Sequence, residues 1–268
     1  MIPLYRKDFP SSKDELAQAL DEALRRLVHK TDPIVSVRSR VFPYLDEIAI
    51  NLNGVQFDSL PAALPRTVNE SRPACEAAIV MLSGLNISVQ GVPLNVRMEA
   101  RGVVFHKGQD EKAEAVFILH KVRDGSVVIS APQLNLENAI EQIAKREGDK
   151  RGITIEQVRL AIRARGERSL AADIRLQARK FLLHARIDIS GQIDIDENFV
   201  AKISNLKCKS DGAIGSLACG ALDPFFRQLD GKTFSLTSLP LGEIQLRDVR
   251  VAVSDTIELT ADFGTDQS

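Results

Sequence analysis

Tryptophan is absent from this chain, tyrosine occurs twice, and aromatic residues make up only 5% of it. Proteins that grip single-stranded nucleic acid stack bases on aromatic side chains set among basic ones, and that combination is missing. Net charge is −1, so no global field draws in a polyanion. Three cysteines are too few for a disulfide framework. Long apolar runs are missing too. The longest is the six residues from Ala77 to Leu82, far short of the roughly 20 that a membrane-crossing helix needs. Met1 to Pro10 lacks the apolar core of a secretory signal, so the expectation is a protein that stays inside the cell or one whose leader was removed.

Catalytic constellations are equally scarce. His29, His106, His120 and His184 lie far apart, without His-x-x-x-His or Cys-x-x-Cys spacing, and no Gly-x-Gly-x-x-Gly or Walker sequence occurs. Asp188, Asp194, Asp196 and Glu197 form an oxygen-rich array, but it lacks the Gly and the terminal Glu of an EF-hand loop. A hairpin with outward carboxylates accounts for it. Cys75 reads as a small buried residue, while Cys208 and Cys219 flank a short Gly-rich stretch and would close a small loop in an oxidising compartment. The expectation is a non-catalytic protein with no cofactor, no bound metal and no nucleic-acid partner.

What the chain does have is alternation. Leu94, Val96, Met98 and Ala100 interleave with Asn95, Arg97, Glu99 and Arg101, giving a strand with one apolar and one wet face. Val158, Leu160, Ile162 and Ala164 repeat the pattern against Arg159, Arg163 and Arg165. Strands are expected at 77–89 and 92–106, then at 113–122 and 126–130 joined by an Asp124-Gly125 turn. Further strands are expected at 153–164, 170–178, 182–195, 199–206, 246–253 and 257–263. Between Ile34 and Phe57 the period also reads as two, broken at Pro43, and residues 58–74, with Pro61, Pro65 and Pro73, read as a loop.

Three helices punctuate these strands. Ser12 to Glu15 reads as a capping box ahead of Leu16, Leu20, Leu24, Leu27 and Val28, a helix of about 18 residues ending before Asp32-Pro33. Leu136, Ala139, Ile140 and Ile143 mark a second helix, capped by Asn135 and finished near Gly148. A third runs from Gly212 to Leu229, with a break or kink expected at Asp223-Pro224. The fold class is therefore α+β: a long, strongly curved antiparallel sheet with about three helices in its concavity. The 268 residues read as one elongated domain, with a hint of two halves meeting near Pro132.

Two features bear on binding. Residues 145–186 carry twelve Lys or Arg, at least twice their count of Asp and Glu, and Arg159, Arg163 and Arg165 project from one side of one strand. Either they form a solvated face or they meet anionic head groups of a membrane. The aliphatic surplus on the opposite faces is either a plain core or the lining of a channel for an acyl chain, worth about 0.8 kcal/mol per buried methylene.

The closing segment carries a family likeness. Phe225-Phe226-Arg227-Gln228-Leu229, then Ser238-Leu239-Pro240-Leu241-Gly242, then Ile244 to Val251, and finally Ile257-Glu258-Leu259 together resemble the end of the LmeA-like bacterial phospholipid-binding proteins. The resemblance implies a TULIP-like, tubular lipid-binding fold, in which a curved sheet wraps around helices and an apolar groove holds phospholipid tails. It also implies a place outside the cytoplasm and no catalytic residues. The chain departs from that family in lacking a leader and in the Pro-containing insert from Leu60 to Pro73, which reads as a lid or a partner contact. On this likeness the tails line up with Val96, Met98, Leu160, Ile162, Leu176, Phe225 and Phe226, and Arg159, Arg163 and Arg165 meet head groups or an anionic membrane. The alternative is a structural or adaptor protein that binds a protein partner through a sheet edge or apolar rim.

Overall fold

The computed structural model describes every residue except 29, 31, 58–67, 90, 151, 182, 239–243 and 266–268, and the side chains of 70, 213, 214, 221 and 238 are likewise left aside. In chain order the elements are β1 (Ile2–Pro3), α1 (Lys13–Arg25), β2 (Val35–Arg38), β3 (Tyr44–Asn51), β4 (Gln56–Phe57), β5 (Asn69–Val89), β6 (Val92–Gln109) and β7 (Ala115–Pro132). Then come α2 (Gln133–Asp149), β8 (Thr154–Gly166), β9 (Ser169–Lys180), β10 (Leu183–Ile195), β11 (Val200–Asp211), α3 (Gly212–Leu229), β12 (Thr233–Ser235), β13 (Gln245–Val253) and β14 (Thr256–Gly264). The class is α+β. Instead of one antiparallel sheet there are two: a nine-stranded sheet in the order β13-β14-β7-β6-β5-β3-β2, with β1 on β7 and β4 on β5, and a five-stranded sheet in the order β12-β11-β10-β9-β8. The larger sheet is mixed, because β3 and β4 both run parallel to β5.

Contacts divide the chain into two compact units. The first holds Met1–Ile129, Pro240–Asp248 and Thr260–Ser268, and the second Ser130–Leu239 and Val249–Leu259. In the first, α1 buries Leu16, Ala19, Leu20 and Ala23 against strand residues that include Ile48, Ala77, Val103 and Phe117. Phe105 stacks on Phe117 with ring centroids 4.2 Å apart. Ser12 caps the helix by accepting the Glu15 N–H at 3.2 Å, but the Glu15 carboxylate takes the N–H of Ser11, at 2.8 Å, one residue earlier than a capping box places it. After α1 the chain folds back into β2, where one oxygen of Asp21 accepts the N–H groups of Ile34 and Val35, at 2.5 and 3.1 Å, while the other pairs with Arg25 at 2.6 Å.

Three features of the strands differ from the sequence reading for identifiable reasons. β7 runs straight through Asp124-Gly125, without a turn. A Cβ at Gly125 would lie 2.5 Å from the Phe263 ring and 3.0 Å from the Glu99 carbonyl, so the glycine answers close packing rather than chain reversal. β5 begins at Asn69, inside the stretch read as a loop, and tolerates Pro73 because the pairing register with β6 shifts between Pro73 and Cys75. In β6 the buried side chains move from even to odd positions, from Ala100 to Val103 and Phe105, across Gly102, whose φ of +58° a glycine adopts without strain. Among the helices, α2 starts directly after Pro132 with no side-chain cap, so Asn135 is not its cap, and α3 continues without interruption through Pro224.

Candidate functional site

The second unit owes its chemistry to the register of β8 to β11. Leu160 faces Ile174, Ile174 faces Ile189, and Ile189 faces Cys208, which makes one apolar row across four strands. Val158, Leu176 and Ile187 form the next row, Ile162 and Ala172 another, and Ala164, Leu170, Ile193 and Ile203 a fourth. Side chains alternate along each strand, and the register shift of β11 between Ser204 and Lys207 brings Ile203 and Cys208 into phase, so all of these share one face.

Two helices flank that face. α2 lies along β8, the outer strand of the sheet, where Glu137 Oε2 accepts the Leu160 N–H at 2.7 Å and Gln133 Oε1 that of Ile162 at 3.3 Å. α3 lies along β10 and β11 and is tied to β11 by the Cys208–Cys219 disulfide, with Cα atoms 5.6 Å apart. At its start a Cβ on Gly215 would come 2.7 Å from Ser210, and at its end Asp230 accepts the Leu206 N–H at 3.1 Å. Neither helix packs extensively on β9 among the described residues.

Burial follows from this layout. Among the described residues of the sheet, only Val158, Ala178, Ala185 and Ile187 are fully buried, and these sit together at the end where α2 finishes and α3 begins. Leu160, Ile162, Leu170, Ile174, Leu176 and Ile189 are only partly buried, and Ile193 is 37% exposed. The tightly packed apolar cluster of the molecule lies in the first unit. The second unit thus has an apolar trough between two helices, closed at one end.

The opposite face is polar. A depression of about 690 Å³ is lined by Arg159, Arg163, Arg175, Arg186, Lys207 and Lys209, with Asp173 and Asp188 as the only carboxylates. Arg175 and Arg186 both donate to Asp188, at 2.8 and 2.9 Å, and chiefly the Arg175 bond, helped by Arg186, holds that carboxyl below the usual aspartate range. Arg163 pairs with Asp173, Arg159 with Glu137 at 3.4 Å, and Arg165 donates to Gln192 at 2.9 Å. The three arginines read from the sequence as one row are therefore individually partnered. They also lie on the face opposite Leu160 and Ile162, so a tail on those residues and a head group on the arginines would have to pass around an edge occupied by α2.

The remaining sequence-predicted residues fall into separate surroundings. Leu160, Ile162 and Leu176 are brought together in the trough. Phe226 lines a groove between α3 and β11 with Leu206, Cys219 and the charged Asp223, Arg227 and Asp230, while Phe225 is 60% exposed. Val96 and Met98 belong to the first unit, in a groove of about 690 Å³ with Ile50, Met81 and Leu82, and Met98 packs on the core there. Ile174, Leu170 and Ile189 were missed, although the same period of two runs through 170–176 and 187–193. Of the proposed lid, residues 60–67 lie outside the described residues and 69–73 belong to β5; residues 239–242 of the family-like turn also lie outside. The aspartates of the oxygen-rich array are used locally: Asp194 accepts from Ser169 at 2.6 Å, and Asp196 from the N–H groups of Asn198 and Val200. Comparison of the chain with protein-family models, with curated proteins and with solved structures gave no match.

Proposed function

We propose that this chain is a non-catalytic lipid-binding protein whose second unit holds the acyl chains of a phospholipid, or of another acyl lipid, against the apolar face of β8 to β10. The observation that carries the reading is the partly exposed row Leu160–Ile174–Ile189, lying between two helices that pack along β8, β10 and β11 and not extensively on β9 among the described residues. A folded chain gains by burying such a row, at about 0.8 kcal/mol per methylene, and an acyl chain laid along it supplies that burial. The TULIP-like resemblance supports the same reading, with the sheet curving around its ligand. Exchange is passive on this view, because desolvation alone drives loading.

Strand addition, the adaptor reading, finds less support. The outer edge of β8 donates two of its N–H groups to α2, and the β13 backbone is engaged by the β8–β9 turn, where the Val251 N–H meets the Glu167 carbonyl at 2.6 Å and Arg168 Nε the Val249 carbonyl at 3.1 Å. The test is native mass spectrometry with organic extraction of the purified protein. An acyl lipid in near-stoichiometric amount is the expected result, reduced by about tenfold in Ile174→Gln and unchanged in Val41→Gln, which alters an exposed apolar residue of the first unit. A protein that carries no lipid and takes up none from vesicles overturns the reading.

A further inference from the structure

Among the described residues, the turn between β9 and β10 lacks the turn-forming residues that the other strand reversals carry. Ser39 and Pro43, around an exposed Val41, and Gly91, Asp110, Gly166, Asp196 and Ser254-Asp255 mark those reversals, as turn geometry and solvent contact favour. Here the sequence is Lys180-Phe181-Leu182-Leu183-His184. Phe181 is 85% exposed and Leu183 61% exposed. Phe181 also adopts φ +55°, a left-handed conformation that a bulky aromatic residue avoids. Phe199 shares that conformation, yet it is half-buried beneath the Arg168 guanidinium, 5.4 Å from its ring; Phe181 has no such cover among the described residues. The chain thus accepts both backbone strain and solvent-exposed apolar surface at one hairpin tip.

Charge says what meets that tip. From Ile174 to Ile187 the sequence holds four Lys or Arg, together with His184, and no Asp or Glu. Arg179 is paired with Glu156 at 2.9 Å, whereas Lys180, beside the exposed phenyl ring, has no ion-pair partner among the described residues. Size argues against a protein partner. Two such side chains offer about 400 Å² at most, half of the roughly 800 Å² per partner that a stable interface buries. A bilayer needs no matching surface, because a pair of apolar side chains dips between head groups while neighbouring cations meet anionic lipid.

We infer that the β9–β10 hairpin tip is a membrane wedge, with Phe181 and Leu183 entering the interfacial zone of an anionic bilayer and Lys180 meeting its phosphates or carboxylates. The inference adds to the lipid-carrier reading the surface from which lipid is collected, and it stands or falls separately from what fills the trough.

The absence of tryptophan makes the test direct, since Phe181→Trp becomes the only indole in the protein. On adding vesicles of phosphatidylcholine mixed with phosphatidylserine, its emission shifts to the blue and is quenched by bromine-labelled lipid. In flotation, the double variant Phe181→Ser with Leu183→Ser partitions onto the same vesicles about tenfold less, and Lys180→Ala loses the dependence on phosphatidylserine. Retention of extracted lipid in the double variant separates wedge from trough. Emission unchanged by vesicles and still open to iodide overturns the inference. So does a blue shift that follows protein concentration without vesicles, which would assign the tip to a second copy of the chain.

Discussion

The carboxylate of Glu137 on α2 accepts the backbone N–H of Leu160, 2.7 Å away, on the outer edge of β8. One side chain thereby satisfies a strand donor, anchors a helix beside an open apolar face and blocks the edge against another strand. Glu137 is nearly buried, with its side chain 14% exposed, and Arg159 neutralises it from the far side. Glu137→Ala should lower stability by about 1–2 kcal/mol through the orphaned donor and promote self-association through the freed edge. Urea unfolding and sedimentation velocity check both parts, and Glu137→Gln, which keeps an acceptor, should recover most of the loss.

Gly125 provides a second test, because the turn reading and the packing reading of the same residue predict opposite results. Were it a turn glycine, alanine would be tolerated at a negative φ. Since a Cβ there meets the Phe263 ring at 2.5 Å and the Glu99 carbonyl at 3.0 Å, Gly125→Ala should cost about 1–3 kcal/mol. Thermal unfolding measures the loss, and pairing it with Phe263→Leu, which shortens the side chain, should return part of it.

These two residues show what the sequence made legible. Alternation placed Leu160, Ile162 and the arginines on opposite faces of one strand, because strand period is a local property of the chain. It did not show that α2 would lie along the edge of β8, since that depends on side chains 22 and more positions away. Asp124-Gly125 misled because the same dipeptide serves a tight turn and a close approach by an aromatic ring, and only the neighbour decides. Val96 and Met98 share the pattern of Leu160 and Ile162 yet belong to another compact unit, a division that periodicity does not encode. Phe181 and Leu183 are legible in retrospect, at the one reversal among the described residues that holds no turn-forming residue.

The polar face carries a pH signature. Asp188 accepts from Arg175 and Arg186, and its carboxyl is held below the ordinary aspartate value of about 4. A depressed folded value means that the stabilisation is complete above the unfolded value and is lost as pH falls through the folded one, so the effect is confined to the acid side of about pH 4. Asp188→Asn should therefore melt below the parent protein at neutral pH and converge with it in acid. The side chain is 40% exposed, so added salt should shrink the neutral-pH difference. Melting curves at low and high salt across that range test the assignment, and curves that stay parallel into strong acid contradict it.

The Cys208–Cys219 bond fastens α3, one wall of the trough, to β11, and the ring it closes spans a sequence separation of 11. A loop of that length corresponds to about 3 kcal/mol of stabilisation from restricting the unfolded chain. Reduction should lower the melting temperature and speed hydrogen exchange across 212–229 more than in the first unit. Cys75 is buried, and burial, reinforced by Glu76, pushes its thiol up to about 12, so almost none of it is thiolate at neutral pH. Thiol–disulfide exchange needs the thiolate, and Cys75 therefore stays out of it. Iodoacetamide should label no cysteine in the native oxidised protein and two after mild reduction, with Cys75 untouched, and reoxidation should restore the original pair. Labelling of Cys75 before unfolding, or recovery of a bond that includes it, would show that the core of the first unit opens far more readily than its packing implies.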